Sequence, residues 1–215
     1  MTEAERRYIA ALQEHAADTR TLFSNAQKAE RERMVVRAFL RCTGIEFTED
    51  EIRVGAEEPV DVTFRSARFQ IMDIVGERKR GLVWKERQQL YGAAEGIADV
   101  MEPWTDSEPL SLDEVSRIIA EGLTKKAMHY GAQNCSTVDA LVYIDLGGRH
   151  LWPLQPPMDA TVAGELRRQS WRSVSMLFVP YGVVLATTPD APDLLKAAEG
   201  LVQNKWSAPY GFFDP

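Results

Sequence analysis

From Thr2 to Gly44 the spacing of apolar and polar residues is helical, and Thr2 with Glu5 has the spacing of a capping box at its start. Gly44 suits the left-handed position that ends a helix, and a break is expected near Asp18-Thr19. Two short extended pieces, Ile45–Phe47 and Ile52–Val54, flank the polar turn Thr48-Glu49-Asp50. The runs VDVTF (Val60–Phe64) and FQIMDIV (Phe69–Val75) alternate apolar and polar residues, as half-buried strands do. Between them Arg65-Ser66-Ala67-Arg68 reads as a hairpin turn. A helix is predicted from about Val83 to Ala98, then a Pro- and acid-rich linker, Glu102–Pro109. Ser111 and Glu114 open a second capping box, with helix to about Tyr130. ALVYIDL (Ala140–Leu146) is dense in apolar residues and too short for a buried helix, so it reads as an interior strand.

Gln155-Pro156-Pro157 marks a loop. SVSMLFV (Ser173–Val179) and GVVLATT (Gly182–Thr188) read as two strands joined at Pro180-Tyr181, and a last helix is expected from Asp193 to about Gln203. The order of elements predicts an α/β protein, a mixed sheet flanked by helices, folded as one domain over residues 1–215. Within it, 1–44 form a helical segment, 45–205 the sheet core and 206–215 a tail.

The 215 residues are 45% hydrophobic and 27% charged, an ordinary balance for a globule with its own core. No window approaches the roughly 18 apolar residues of a membrane helix, and the charged N-terminus lacks a secretory pattern. Cys42 and Cys135 stand alone, without zinc spacing. The expected location is the cytoplasm, with no membrane partner.

A net charge of −7 argues against tight phosphate binding by the chain as a whole, yet the charge is uneven. From Arg65 to Arg87 seven basic residues face three acidic ones; Arg65, Arg68, Arg78, Lys79, Arg80 and Arg87 are the candidate nucleic-acid contacts. From Glu95 to Glu121 eight acidic residues face only Arg117. Solvated helix faces would also produce both runs. Arg167, Arg168, Trp171 and Arg172 combine basic and aromatic groups suited to phosphate and base contact, or to a helix end with its Trp in the core. Trp84 beside Lys85 and Arg87 has the same two readings. His15, His129 and His150 read as surface or packing residues. GxGxxG, Walker, Ser-His-Asp and HExxH patterns are absent.

The stretch from Glu57 to Val62, followed by Gln70-Ile71-Met72, resembles the PD-(D/E)xK nuclease signature, in which an Asp ends one strand and an acidic residue and a Lys stand two apart on the next. Residues two apart on a strand share a face, and the neighbouring strand sets its Asp beside them. Two carboxylates there hold Mg²⁺, which activates a water, while the Lys steadies the transition state. The strings FSNAQKAERERMVVRAFL, EEPVDVTFRSARFQIMDIV, SWRSVSMLFVPYGVVL and TPDAPDLL, roughly Phe23 to Leu195, are similar to a bacterial family of unknown function labelled "putative endonuclease". The resemblance implies a restriction-endonuclease-like core.

Asp61 matches the signature, but Gln70 stands for the second carboxylate and Met72 for the Lys. Asp73 has the wrong parity to substitute. A relocated Lys would come from Lys79 or Lys85. Many such nucleases add a Glu from the preceding helix. With Phe39 at zero on a helical wheel, Glu32 falls at about +20°, between Val35 at about −40° and Val36 at about +60°. Glu32 is therefore expected to point toward the sheet, with Glu30 on the far side. An active site would hold Mg²⁺ on Asp61, Glu32 and Gln70. The leading expectation is a nuclease-like protein that binds DNA or RNA, with weak or lost Mg²⁺-dependent phosphodiesterase activity. The alternative is a non-catalytic interaction or regulatory protein that uses the fold for a protein partner or a homodimer.

Overall fold

A computed structural model of the chain describes residues 1–76, 80–101, 109–146, 149–152 and 156–205. These fall into two compact units, Met1–Arg31 with Val75–Asp106, and Glu32–Ile74 with Ser107–Pro215.

The first unit rests on helices α1 (Glu3–Leu22) and α3 (Arg80–Ala93). Both halves of the predicted Thr2–Glu5 capping box form, satisfying N–H groups that a first turn leaves without partners. α1 continues past Asp18-Thr19, and the break comes at Phe23–Ser24, before a 3-10 turn, Asn25–Gln27. Ile9, Ala16, Tyr91 and Val100 make a small core, with Leu12, Trp84 and Ala94 against it. Trp84 is used structurally: the His15 ring meets it edge-on at 5.6 Å, and the Arg87 guanidinium lies 4.8 Å from its centre.

The second unit is a seven-stranded mixed sheet whose spatial order follows the chain: β1 (Ile52–Val54), β2 (Val62–Phe64), β3 (Ala67–Val75), β4 (Asp139–Asp145), β5 (Ser173–Phe178), β6 (Tyr181–Thr187) and β7 (Val202–Gln203). β1, β2 and β3 form an antiparallel meander, β4 and β5 pair parallel, and β6 and β7 return antiparallel. Every residue of β4 before Asp145 is buried, as its apolar run requires of a central strand. The sheet flanked by helices is the architecture the sequence predicts.

Parity divides the sheet into two faces. Helix α2 (Lys28–Thr43) covers one, packing Val35, Val36, Phe39 and Leu40 on Val62, Phe64, Phe69 and Ile71. Phe39 and Phe69 meet edge-to-face at 6.2 Å, and each contributes roughly 1.5–3 kcal/mol by leaving water. Helices α4 (Leu112–Tyr130) and α6 (Ala160–Arg167) belong to the other core, with Val142, Ile144, Val174, Met176 and Trp171; Met72 and Ile74 of β3 pack against it. α4 starts on the predicted Ser111–Glu114 box and ends before Gly131, whose φ is 83°.

Gly44 ends α2 with φ 67°, as its identity suggests, while Ile45–Phe47 forms no strand. The hairpin turn is two residues, Arg65 and Ser66, so β3 starts at Ala67. The expected helix after Asp193 is only one turn, α7 (Asp193–Lys196). Gly200, at φ 76°, redirects the chain into β7, which pairs with β6. The linker 102–108 and the tail 206–215 lie outside the described residues.

Candidate functional site

The register Val62↔Phe69 sets Asp61 across from Gln70 at the point where the β2–β3 ladder runs out. The Asp61 backbone N–H donates to the Phe69 carbonyl at 2.9 Å, and the Ile71 N–H donates to Asp61 Oδ2 at 2.8 Å. The carboxylate thus takes the rung that another strand residue would supply. Gln70 Nε2 donates to the same Oδ2 and also to the Ile71 carbonyl, the latter at 3.2 Å. Gln70 is 3% exposed, and its Oε1 is buried with no hydrogen-bond partner. Behind the chain, Gly55 N–H donates to the Asp61 carbonyl at 2.7 Å; a Cβ on Gly55 would lie 1.9 Å from the Val60 oxygen, so only glycine permits this close return.

Met72, two residues beyond Gln70, shares its face and is half-buried against α4. Gly122 of α4 lies at this contact, where an added Cβ would stand 2.9 Å from Met72 Cε. Asp73 has the opposite parity and is exposed. One turn after Gly122, the Lys126 ammonium reaches the Ile71 carbonyl at 2.9 Å. Lys126 is half-buried, with its Nζ 5.9 Å from the centre of the Tyr130 ring. A cation at the site therefore comes from α4. Gly122 and Lys126, four apart, share one face of α4, but nothing in the sequence ties that face to Ile71.

Glu32 is half-buried on α2, and that helix packs on the face of Phe69 and Ile71, whereas Gln70 and Met72 share the other face of the strand. The wheel gives a direction about the helix axis; it does not say which face of the sheet that helix covers. Of the relocated-lysine candidates, Lys79 lies outside the described residues and Lys85 is exposed on α3 in the first unit. Arg78 is also outside the described residues, as is the Arg80 side chain. Arg68 is exposed on the same strand face as Gln70. Arg87 is held over Trp84.

Arg65 is engaged locally. Its guanidinium pairs with Glu51 at 2.8 Å, donates to the Glu46 carbonyl at 3.0 Å and lies 4.8 Å from the Phe64 ring centre. Arg65 and the Thr48 backbone N–H hold the Glu51 carboxyl down to about 2. A surface groove of about 590 Å³ runs beside this pair, lined by Leu40, Ile45, Phe47 and Arg65; Asp61 and Gln70 are not part of it.

Trp171 is buried and Arg172 is committed to Asp139, so this pair packs in the core and does not form a nucleic-acid surface. Asp139 is fully buried and accepts from Arg172, Ser173 Oγ at 2.8 Å and the Arg68 N–H at 2.9 Å. Both cysteines are free and buried, and burial pushes the Cys42 thiol up to about 12.

The oxygens around Asp61 do not fit Mg²⁺ as they stand. The Asp61 Oδ2 carries two N–H donors, the facing Gln70 is neutral, and an ammonium already occupies the Ile71 carbonyl. Hard divalent ions take an oxygen shell, with carboxylates supplying the charge. Among the described residues no group of three or more His, Cys, Asp or Glu side chains is placed to hold a metal ion. No helix among them is long and apolar enough to cross a membrane.

Fold and site define a mixed α/β protein with a half-buried carboxylate at the end of a strand pair, an opposing Gln and a helix-borne Lys. The chain belongs to the family described as "Putative endonuclease, protein of unknown function (DUF1780)", whose model matches residues 4–205. It is similar to a solved structure of a protein of unknown function from Pseudomonas aeruginosa strain PAO1, described as monooxygenase superfamily. The identity is 25%, covering 95% of this chain and 96% of that one, with a TM-score of 0.63. No curated protein matches the sequence.

Proposed function

We propose that this chain is a nuclease-like protein that binds nucleic acid and has lost, or nearly lost, metal-dependent phosphodiester cleavage. One observation carries the reading: where a cleaving site needs a second carboxylate, Gln70 donates an amide N–H into the Asp61 carboxylate. The two residues stand opposite each other on adjacent strands, as the nuclease signature requires, but a neutral amide takes the place of the second negative charge. Met72, packed against α4, gives neither charge nor donor on that face. Losing a single transition-state contact typically costs 10²–10³ in rate, and here both the second carboxylate and the strand lysine are replaced. The family description supports the nuclease side of this reading. Arg68, exposed beside Gln70, supports the binding side.

Fluorescence anisotropy with labelled single-stranded, duplex and branched DNA and with RNA, at low salt and in EDTA, tests it. Binding should appear without added metal and weaken with salt. Each phosphate contact contributes a slope of roughly 0.9 in log K against log salt for duplex DNA. Arg68→Ala should lower affinity and flatten that slope. Incubation with Mg²⁺ or Mn²⁺ should leave the strands intact. Efficient cleavage that Asp61→Ala abolishes would overturn the loss of activity. Absence of binding to every nucleic acid would leave the protein-partner alternative.

A further inference from the structure

At the end of the β2–β3 ladder two protein oxygens, the Gln70 amide and one ammonium come together. Asp61 Oδ2 accepts from Gln70 Nε2 and from the Ile71 N–H. The Ile71 carbonyl accepts from Lys126 Nζ at 2.9 Å and from Gln70 Nε2 at 3.2 Å. The amide oxygen, Gln70 Oε1, belongs to a side chain 3% exposed and has no partner. A carboxylate, a carbonyl and an amide oxygen are the hard donors a divalent cation takes. At this site the cation beside them is instead an ammonium on a four-carbon stem. Its position is set by α4, which Gly122 allows to lie close over Met72 one turn earlier.

We propose that Lys126 is a tethered cation that holds the place of a divalent ion at the Asp61–Gln70 site, so that the native chain excludes Mg²⁺ and Mn²⁺ from it. The inference rests on reading Asp61 and Gln70 as a nuclease-type pair, and it deepens that reading by naming what replaces the metal. A covalently attached charge is always present, so a dissolved ion must displace it from the Ile71 carbonyl and then stand beside a like charge. Removing the ammonium changes both conditions. The Asp61 charge and the Ile71 carbonyl remain, and a half-turn of the Gln70 amide exchanges Nε2 for the partnerless Oε1. Oε1 then points with the other two oxygens, and the orphaned atom gains a ligand.

Mn²⁺ titration followed by electron paramagnetic resonance of the free ion tests the proposal on wild type, Asp61→Asn, Lys126→Met, Lys126→Gln and Asp61→Asn/Lys126→Met. Circular dichroism selects the variants that fold, and Lys126→Gln retains a donor for the Ile71 carbonyl if the Met form does not. Each folded Lys126 variant should bind one Mn²⁺ at least tenfold more tightly than wild type, and Asp61→Asn should remove that gain. Wild type taking up one Mn²⁺ that Asp61→Asn abolishes would overturn the proposal. Folded Lys126 variants that bind Mn²⁺ no better than wild type would overturn it too. Nucleic-acid binding in EDTA is a separate readout. Its absence would end the nucleic-acid reading, while the Mn²⁺ comparison alone decides the role of Lys126.

Discussion

Met72 of β3 lies against Gly122 of α4, so close that a Cβ on the glycine would stand 2.9 Å from the methionine's terminal methyl. Met72 is thus a packing contact between strand and helix.

Placing a lysine at this position should therefore cost stability. Met72→Lys would put an ammonium among Gly122, Ile74 and the α4 core, on the helix face that already carries Lys126. We expect a loss of about 1–3 kcal/mol, the usual scale for a poorly placed charge at a half-buried site. Met72→Leu, which keeps the volume and the apolar surface, should stay within about 1.5 kcal/mol of wild type. Urea unfolding of the two variants makes the comparison; equal stability of the Lys and wild-type proteins would mean that the contact contributes little.

The Glu51–Arg65 pair should make stability depend on acid. The Glu51 carboxyl, at about 2, lies below the ordinary carboxylate value of 4.5 because of Arg65 and then the Thr48 backbone N–H. A depressed carboxyl contributes stability that is present above the unfolded value and lost as pH falls through the folded one. The window therefore runs from about pH 4.5 down to about pH 2. Arg65→Ala should raise the Glu51 value toward that of a free carboxyl and shrink the loss of stability across this window. Titration of the Glu51 carboxyl by NMR, with thermal melts at each pH, measures both; an unmoved Glu51 value would remove Arg65 as the main cause.

Asp139 is fully buried, and Arg172, at 15% side-chain exposure, depends on it. Asp139→Ala should cost about 3–5 kcal/mol, because it leaves a guanidinium with no counter-charge in the interior. Asp139→Asn, which keeps one acceptor oxygen for either the Ser173 hydroxyl on Oδ1 or the Arg68 N–H on Oδ2, should cost less than Asp139→Ala. Asp139→Ala/Arg172→Met should recover part of the loss, since both charges are then gone. The three values from denaturant unfolding form the check; a double variant as unstable as Asp139→Ala would show that the buried charge is not the source.

Local chemistry made much of the chain legible. Thr2–Glu5 and Ser111–Glu114 announce helix starts because capping depends on residues three apart, and Gly44 announces an end because its φ of 67° disfavours other side chains. Alternation marked β2 and β3, and the unbroken apolar run marked β4. Their parity already placed Asp61, Gln70 and Met72 on one face and Asp73 on the other. The packing of helices on the sheet depends on distant contacts and was not legible. The amphipathic face of α2 says that Glu32 turns toward a sheet, but only the joint packing of Phe39, Phe64 and Phe69 decides which side. Lys126 stands 55 positions after Ile71, and no spacing links them. Gly122 allows α4 to settle on Met72, and that tertiary contact brings the ammonium to the Ile71 carbonyl. Sequence alone determined the strand pair that sets Gln70 across from Asp61; the fold decided which cation stands beside it, because helix-to-sheet docking depends on shape complementarity between surfaces far apart in the chain.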